Sequence, residues 1–128
     1  MAKQFEKIAT PLDDVFLIKK WRFDDDRGTF IKTFSQSQFR EMGLADCFHE
    51  SVYSISKRNV LRGCHYQQYP HGHAKLVNVI KGEILDVIVG IGGKFNTRNR
   101  GGYIRRFYLK ITIRHYLYRT AMHMAFSC

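Results

Sequence analysis

Three side chains with complementary chemistry stand close together in this chain: Arg62, His65 and Lys75. The first two belong to Leu61-Arg62-Gly63-Cys64-His65-Tyr66-Gln67-Gln68. The third opens Lys75-Leu76-Val77, and Gly82-Glu83-Ile84-Leu85-Asp86-Val87 follows. A base beside two fixed cations suits removal of a proton next to a carbonyl, where negative charge collects on oxygen. A nearby cation also favours the neutral, proton-accepting imidazole. In that arrangement the Lys75 ammonium would face the enolate oxygen. The bland readings are a structural strand histidine and a solvated strand-end lysine, and spacing alone leaves them open.

Other residues invite weaker readings. Arg27, in Asp26-Arg27-Gly28-Thr29-Phe30, could grip a phosphate with Phe30 lining the space beside it. A surface arginine paired with Asp24 or Asp25 is the simpler alternative. His71-x-His73 would put two imidazoles on one strand face, but Leu76, Val77, Asn78 and Val79 fill the place where a carboxylate ligand should follow. No metal is therefore expected. Gly90-Ile91-Gly92-Gly93 lacks the helix that a phosphate-cradling loop requires.

Positioning Arg62, His65 and Lys75 calls for short strands, apolar on one side and polar on the other, and the chain is rich in them. Val15 to Ile18 reads as a strand, closed by the acidic turn Asp24-Asp25-Asp26 and Gly28. Phe30 to Phe34 is a second. Ser35 is placed to cap a helix over Gln36 to Met42, with Gly43 ending it. Val52, Ser54 and Ser56 alternate with Tyr53 and Ile55, the period of a two-faced strand. Val60 to Tyr66, Lys75 to Ile80 and Ile84 to Val89 complete the set. Many short strands with regular turns predict an all-β sandwich or jelly roll.

At 128 residues the chain supports one domain with a real core, and 45% hydrophobic and 14% aromatic content fit a compact protein. No run approaches the roughly 18 apolar residues of a membrane span, and no apolar leader follows Met1. Three cysteines, Cys47, Cys64 and Cys128, fit free thiols in a reducing cytoplasm better than a disulfide framework. The net charge of +10 divides unevenly. Residues 1–92 hold 13 Lys and Arg against 11 Asp and Glu; residues 93–128 hold 8 against none. The basicity belongs to the tail.

Taken together, these residues resemble the dTDP-4-dehydrorhamnose 3,5-epimerase family (RmlC-like cupins). The matching motifs are Asp26-Arg27-Gly28-x-Phe30, Ser54-x-Ser56, Val60-Leu61-Arg62-Gly63-x-His65-Tyr66-Gln67, Lys75-Leu76-Val77 and Gly82-x-Ile84-x-Asp86-Val87. They keep family order over roughly residues 8–92. The resemblance implies an antiparallel cupin-type jelly roll, usually a homodimer, without metal or organic cofactor. It also implies epimerisation at carbons 3 and 5 of a nucleotide-linked 4-keto-6-deoxy sugar, on the path to dTDP-L-rhamnose and surface polysaccharide such as lipopolysaccharide. By position, His65 would remove the proton and Lys75 stabilise the enolate. Arg62 and Gln67 would hold substrate, and Arg27 with Phe30 would contact the nucleotide. Lys32, Glu50 and Val52 depart from the family's glutamate, glutamine and asparagine, which bears on base and sugar specificity. Readings from other classes are a basic nucleic-acid-binding protein, acting through the tail, and a metal-dependent cupin using His65, His71 and His73.

The resemblance stops before the tail. The family continues with a second half of the barrel that carries a tyrosine general acid, a carboxylate orienting the histidine, and an Ala-His-Gly-Phe strand. Here Tyr118-Arg119-Thr120-Ala121-Met122-His123-Met124-Ala125-Phe126 stands instead. Methionine has one codon, so from the third base of the Met122 codon the next triplets read GCA, then CAT or TAT, then GGC. Those triplets spell Ala, His or Tyr, Gly. In the same shifted frame Tyr118-Arg119 can give Ile-Pro. A single-base slip between about Gly90 and Lys110 accounts for this and for the missing acids. On that reading the domain spans 1–92, the barrel is incomplete at its C-terminal end, and 93–128 is an out-of-frame, poorly ordered tail that does not close the barrel.

Overall fold

The computed structural model describes residues 4–12, 15–65, 67, 71–91, 104–112, 115–119 and 123–127. Ten strands and one short helix are formed among them. They are β1 (Phe5–Ala9), β2 (Val15–Lys20), β3 (Arg22–Asp25), β4 (Gly28–Ile31), α1 (Gln36–Glu41), β5 (Arg62–His65), β6 (Lys75–Asn78), β7 (Glu83–Ile91), β8 (Ile104–Thr112), β9 (His115–Arg119) and β10 (His123–Ser127). Two four-stranded sheets result, with orders β1-β2-β9-β6 and β5-β10-β7-β8, and the strands pair antiparallel throughout. The all-β jelly-roll expectation is borne out.

Alternation along β2 explains how the layers are held. Val15 and Ile18, an odd number of residues apart, project from opposite faces of the sheet and are both fully buried. Val15 joins Leu12, Val79 and Ile88 in a cluster that spans the two sheets, with Val77 and Ile84 against it. Ile18 joins Phe5, Phe39 and Leu44 on the outer face, under α1, where Phe16 and Leu76 add to the cover. Each fully buried apolar side chain contributes about 1.5–3 kcal/mol.

The helix that covers the outer face ends as the sequence predicts. Gly43 takes φ +67, its N–H donates to Arg40 O at 3.0 Å, and the Leu44 N–H donates to Phe39 O at 2.9 Å. That pair of bonds is a Schellman closure, and the Leu44–Phe39 contact in the outer core completes it. Ser35 stands at the N-cap without a side-chain capping bond.

Three expectations need correcting. The strand over Val52 to Ser56 does not form: residues 51–57 run without a ladder, and Val52, Tyr53 and Ile55 are 82%, 81% and 89% exposed. Alternating side chains cannot make a strand when no neighbouring strand takes the backbone hydrogen bonds. Phe30–Phe34 is shorter than expected, ending at Ile31 where its hairpin partner β3 begins. Finally, the tail does not stay out of the barrel. β9 fills the slot between β2 and β6, β10 fills the one between β5 and β7, and β8 extends the second sheet along all nine residues of β7. Ladder bonds join backbone to backbone, so an extended segment rich in Ile, Tyr and Phe can occupy a slot whatever motif it lacks.

Candidate active site

Arg62 and His65 are three residues apart, and a regular strand would point them to opposite faces. The structure resolves this with a β-bulge. His65 pairs with Ala125 and Arg62 with Ser127, so three steps on β5 match two on β10. The extra residue puts Arg62 and His65 on the same face. Gly63, inside the bulge, takes φ +126, a conformation that side-chain-bearing residues rarely adopt.

Register then identifies that face. Ala125 is also paired with Ile88, and Ser127 with Asp86. Ile88 belongs to the cluster between the sheets, so His65 and Arg62 stand on the inner face of their sheet. Across the sandwich, Lys75 pairs with Arg119, which pairs with Val15, another member of that cluster. Lys75 therefore stands on the inner face of the opposite sheet, half-buried. The imidazole and the ammonium thus both stand on inner faces, one on each sheet. Both lie on edge strands, β5 and β6.

The surroundings refine the picture. His65 and Arg62 are exposed, and the Arg62 Nε–H donates to Ser56 Oγ at 3.0 Å, tying the second serine of Ser54-x-Ser56 to the site. Gln67 is partly buried, and its Oε1 accepts no hydrogen bond among the described residues. Asp86, 1% exposed, had no role assigned from sequence. It lies in the same cross-strand row as Arg62, two strand spacings or about 9–10 Å away along the sheet. Its signal was available: an acid at the inner position of Ile84-x-Asp86-x-Ile88. His71 and His73 are exposed, and no group of three potential metal ligands occurs among the described residues.

Arg27 and Phe30 lie elsewhere. Among the described residues β3 and β4 form a hairpin that pairs only with itself, with Phe23 opposite Phe30. Asp25 holds Arg27 from within the turn: its carboxylate accepts the Arg27 backbone N–H at 2.9 Å and Nη2 at 2.6 Å. Those bonds keep the Asp25 carboxyl below the usual carboxylate range and raise the Arg27 guanidinium. Phe30 is 62% exposed, and Trp21 and Phe23 pack around it.

Comparison with known proteins bears on the whole arrangement. Residues 9–101 match the family model for dTDP-4-dehydrorhamnose 3,5-epimerase. The Methanothermobacter thermautotrophicus dTDP-4-dehydrorhamnose 3,5-epimerase is 44% identical over 89 residues, which cover 69% of this chain and 47% of that protein. The chain thus spans about half the length of this relative. The crystal structure of the Elizabethkingia anophelis dTDP-4-dehydrorhamnose 3,5-epimerase superposes with TM-score 0.80 at 28% identity, over 97% of this chain and 67% of that one. The Legionella pneumophila dTDP-6-deoxy-D-glucose-3,5-epimerase, solved with dTDP-4-keto-L-rhamnose, superposes with TM-score 0.81 at 26% identity, over 96% of this chain and 64% of that one. On the breadth of that match, the chain belongs to the dTDP-4-dehydrorhamnose 3,5-epimerase family.

Proposed function

We propose that this chain carries the base-and-cation half of a nucleotide-sugar epimerase that converts dTDP-4-dehydro-6-deoxy-D-glucose to dTDP-4-dehydro-L-rhamnose. The observation that supports it is the placement of His65, Arg62 and Lys75 on the inner faces of the two sheets. His65 takes the proton from the carbon beside the keto group, and the electron pair moves onto the carbonyl oxygen. Lys75 stabilises that oxyanion, the kind of charge stabilisation that contributes most to such reactions. Arg62 and Gln67 hold the sugar; Arg27 and Phe30 contact the nucleotide. The steps need a base, an oxyanion partner and an acid, and no redox group. The product feeds rhamnose-containing surface polysaccharide, and the work is cytoplasmic.

A homodimer suits the same surfaces. The β3–β4 hairpin pairs with neither sheet, and residues 51–57 present open backbone and apolar side chains. A second copy laid on these would cover Phe30 and the open segment. Light scattering of the purified chain reads this directly.

The family's tyrosine acid and histidine-orienting carboxylate have no match in residues 93–128, so we further propose that the tail is out of frame and that turnover is impaired. Sequencing the gene tests the frame; an intact reading with no family-like alternative defeats it. For the chemistry, a frame-restored protein should exchange solvent deuterium into dTDP-4-keto-6-deoxyglucose, and His65→Asn should abolish the exchange. Exchange that survives His65→Asn refutes the assignment of the base.

A further inference from the structure

The hairpin has two unlike faces. On one, Arg22 Nε donates to both Asp24 oxygens at 2.9 and 2.7 Å, its Nη2 donates to Thr29 Oγ1 at 3.2 Å, and Thr29 Oγ1 donates to Asp24. These polar groups are occupied with one another. On the other face stand Trp21, Phe23 and Phe30, exposed by 39%, 47% and 62%. Trp21 stacks on Phe23 with ring centroids 6.0 Å apart and planes 15° apart. It meets Phe30 at 6.2 Å with planes 71° apart. Trp21 differs from the other two in its anchorage. It is the joint between β2 and β3, and its backbone N–H donates to Gln4 O at 2.9 Å, just before β1. Its ring therefore rides on the first sheet, whereas Phe23 and Phe30 ride on the hairpin.

We propose that Trp21 is a positioning residue for the nucleobase of the nucleotide sugar. Resting on the reading that Phe30 contacts the nucleotide, it holds the Phe30 ring, and with it the hairpin's tilt, in the orientation that stacks the base. Three exposed rings offer an aromatic surface, and every nucleobase has a π-face to lay against it. A perpendicular neighbour also restricts how far Phe30 can rotate, so less freedom is lost when a base docks. The diphosphate, by contrast, gains nothing from the indole. Trp21 should act on affinity for the base and leave affinity for the phosphates alone.

The chain has one tryptophan, so the proposal carries its own reporter. The full chain is titrated with dTDP while Trp21 emission is followed, and equilibrium dialysis of labelled dTDP gives an affinity independent of the indole. The two should agree. Trp21→Leu should weaken dTDP binding by about tenfold, the scale of one lost base stack. Trp21→Phe should restore most of it, and the affinity for pyrophosphate itself, corrected for that of dTDP, should be the same in all three proteins. Unchanged dTDP affinity in Trp21→Leu overturns the role of Trp21 while leaving the Phe30 reading intact. Equal losses for dTDP and pyrophosphate also overturn it, since that marks general damage to the fold. Absence of dTDP binding by dialysis overturns both. Emission that shifts with protein concentration and not with dTDP assigns the rings to a second copy, and again overturns the proposal.

Discussion

Replacing Lys20 with methionine should stabilise the protein below pH 8 and flatten its stability between pH 8 and 10. Lys20 lies on the outer face of β2, 7% exposed, and its Nζ donates to Asn78 Oδ1 at 2.7 Å across the intervening strand β9. Burial lowers its pKa from 10.5 to about 8. A folded pKa below the unfolded one means that between these values the unfolded chain binds more protons, so stability rises with pH. Below pH 8 both states are protonated, and the full cost of burying the charge is present. At about 1.36 kcal/mol per pKa unit the ceiling is about 3.4 kcal/mol. Solvent screening around a long, flexible side chain brings the expected cost down to about 1–2 kcal/mol. Methionine keeps the stem and removes the charge. Urea denaturation of both proteins at pH 7, 8, 9 and 10 measures the difference. The gain should be largest at pH 7 and shrink as pH approaches the unfolded value. A Lys20→Met protein less stable than wild type at pH 7, or a difference independent of pH, refutes the argument.

Other perturbations should be equally readable. Gly63→Ala forces a side chain onto φ +126 and should cost about 1–3 kcal/mol in urea denaturation. Ile88→Ala, at a fully buried position spanning the two sheets, should cost about 2–5 kcal/mol by the same assay. Deleting residues 93–128 strips β8, β9 and β10 from both sheets and leaves β2, β5, β6 and β7 with open edges. The shortened chain should aggregate on gel filtration, whereas a monodisperse product with unchanged circular dichroism counts against a structural role for the tail.

The elements that were legible in the sequence are those whose instructions are local. Gly43 closes α1 because its own backbone must turn left-handed there, and Val15-Phe16-Leu17-Ile18 forms a strand because β-branched and aromatic residues fit a pleated surface. The common face of Arg62 and His65 was implied by chemistry but not by periodicity. Only the pairing with β10 shows that Gly63 accommodates an extra residue. Residues 51–57 misled in the opposite sense. Their alternation is that of a strand, yet a strand also requires a neighbour, and a neighbour is not encoded locally. β1 and β3 were missed for a similar reason. Phe5–Ala9 and Arg22–Asp25 mix charged and apolar residues without a clean period, and they become strands because β2 and β4 lie alongside.

The tail strands separate two properties that usually travel together. A ladder of amides and carbonyls is blind to what hangs from it, so walls can be raised from masonry that bears no inscription. β8, β9 and β10 take their places in the two sheets although residues 93–128 hold no Asp or Glu. Such pairing asks only for extended backbone beside an open edge, so the same slots would accept strands of quite different side-chain content.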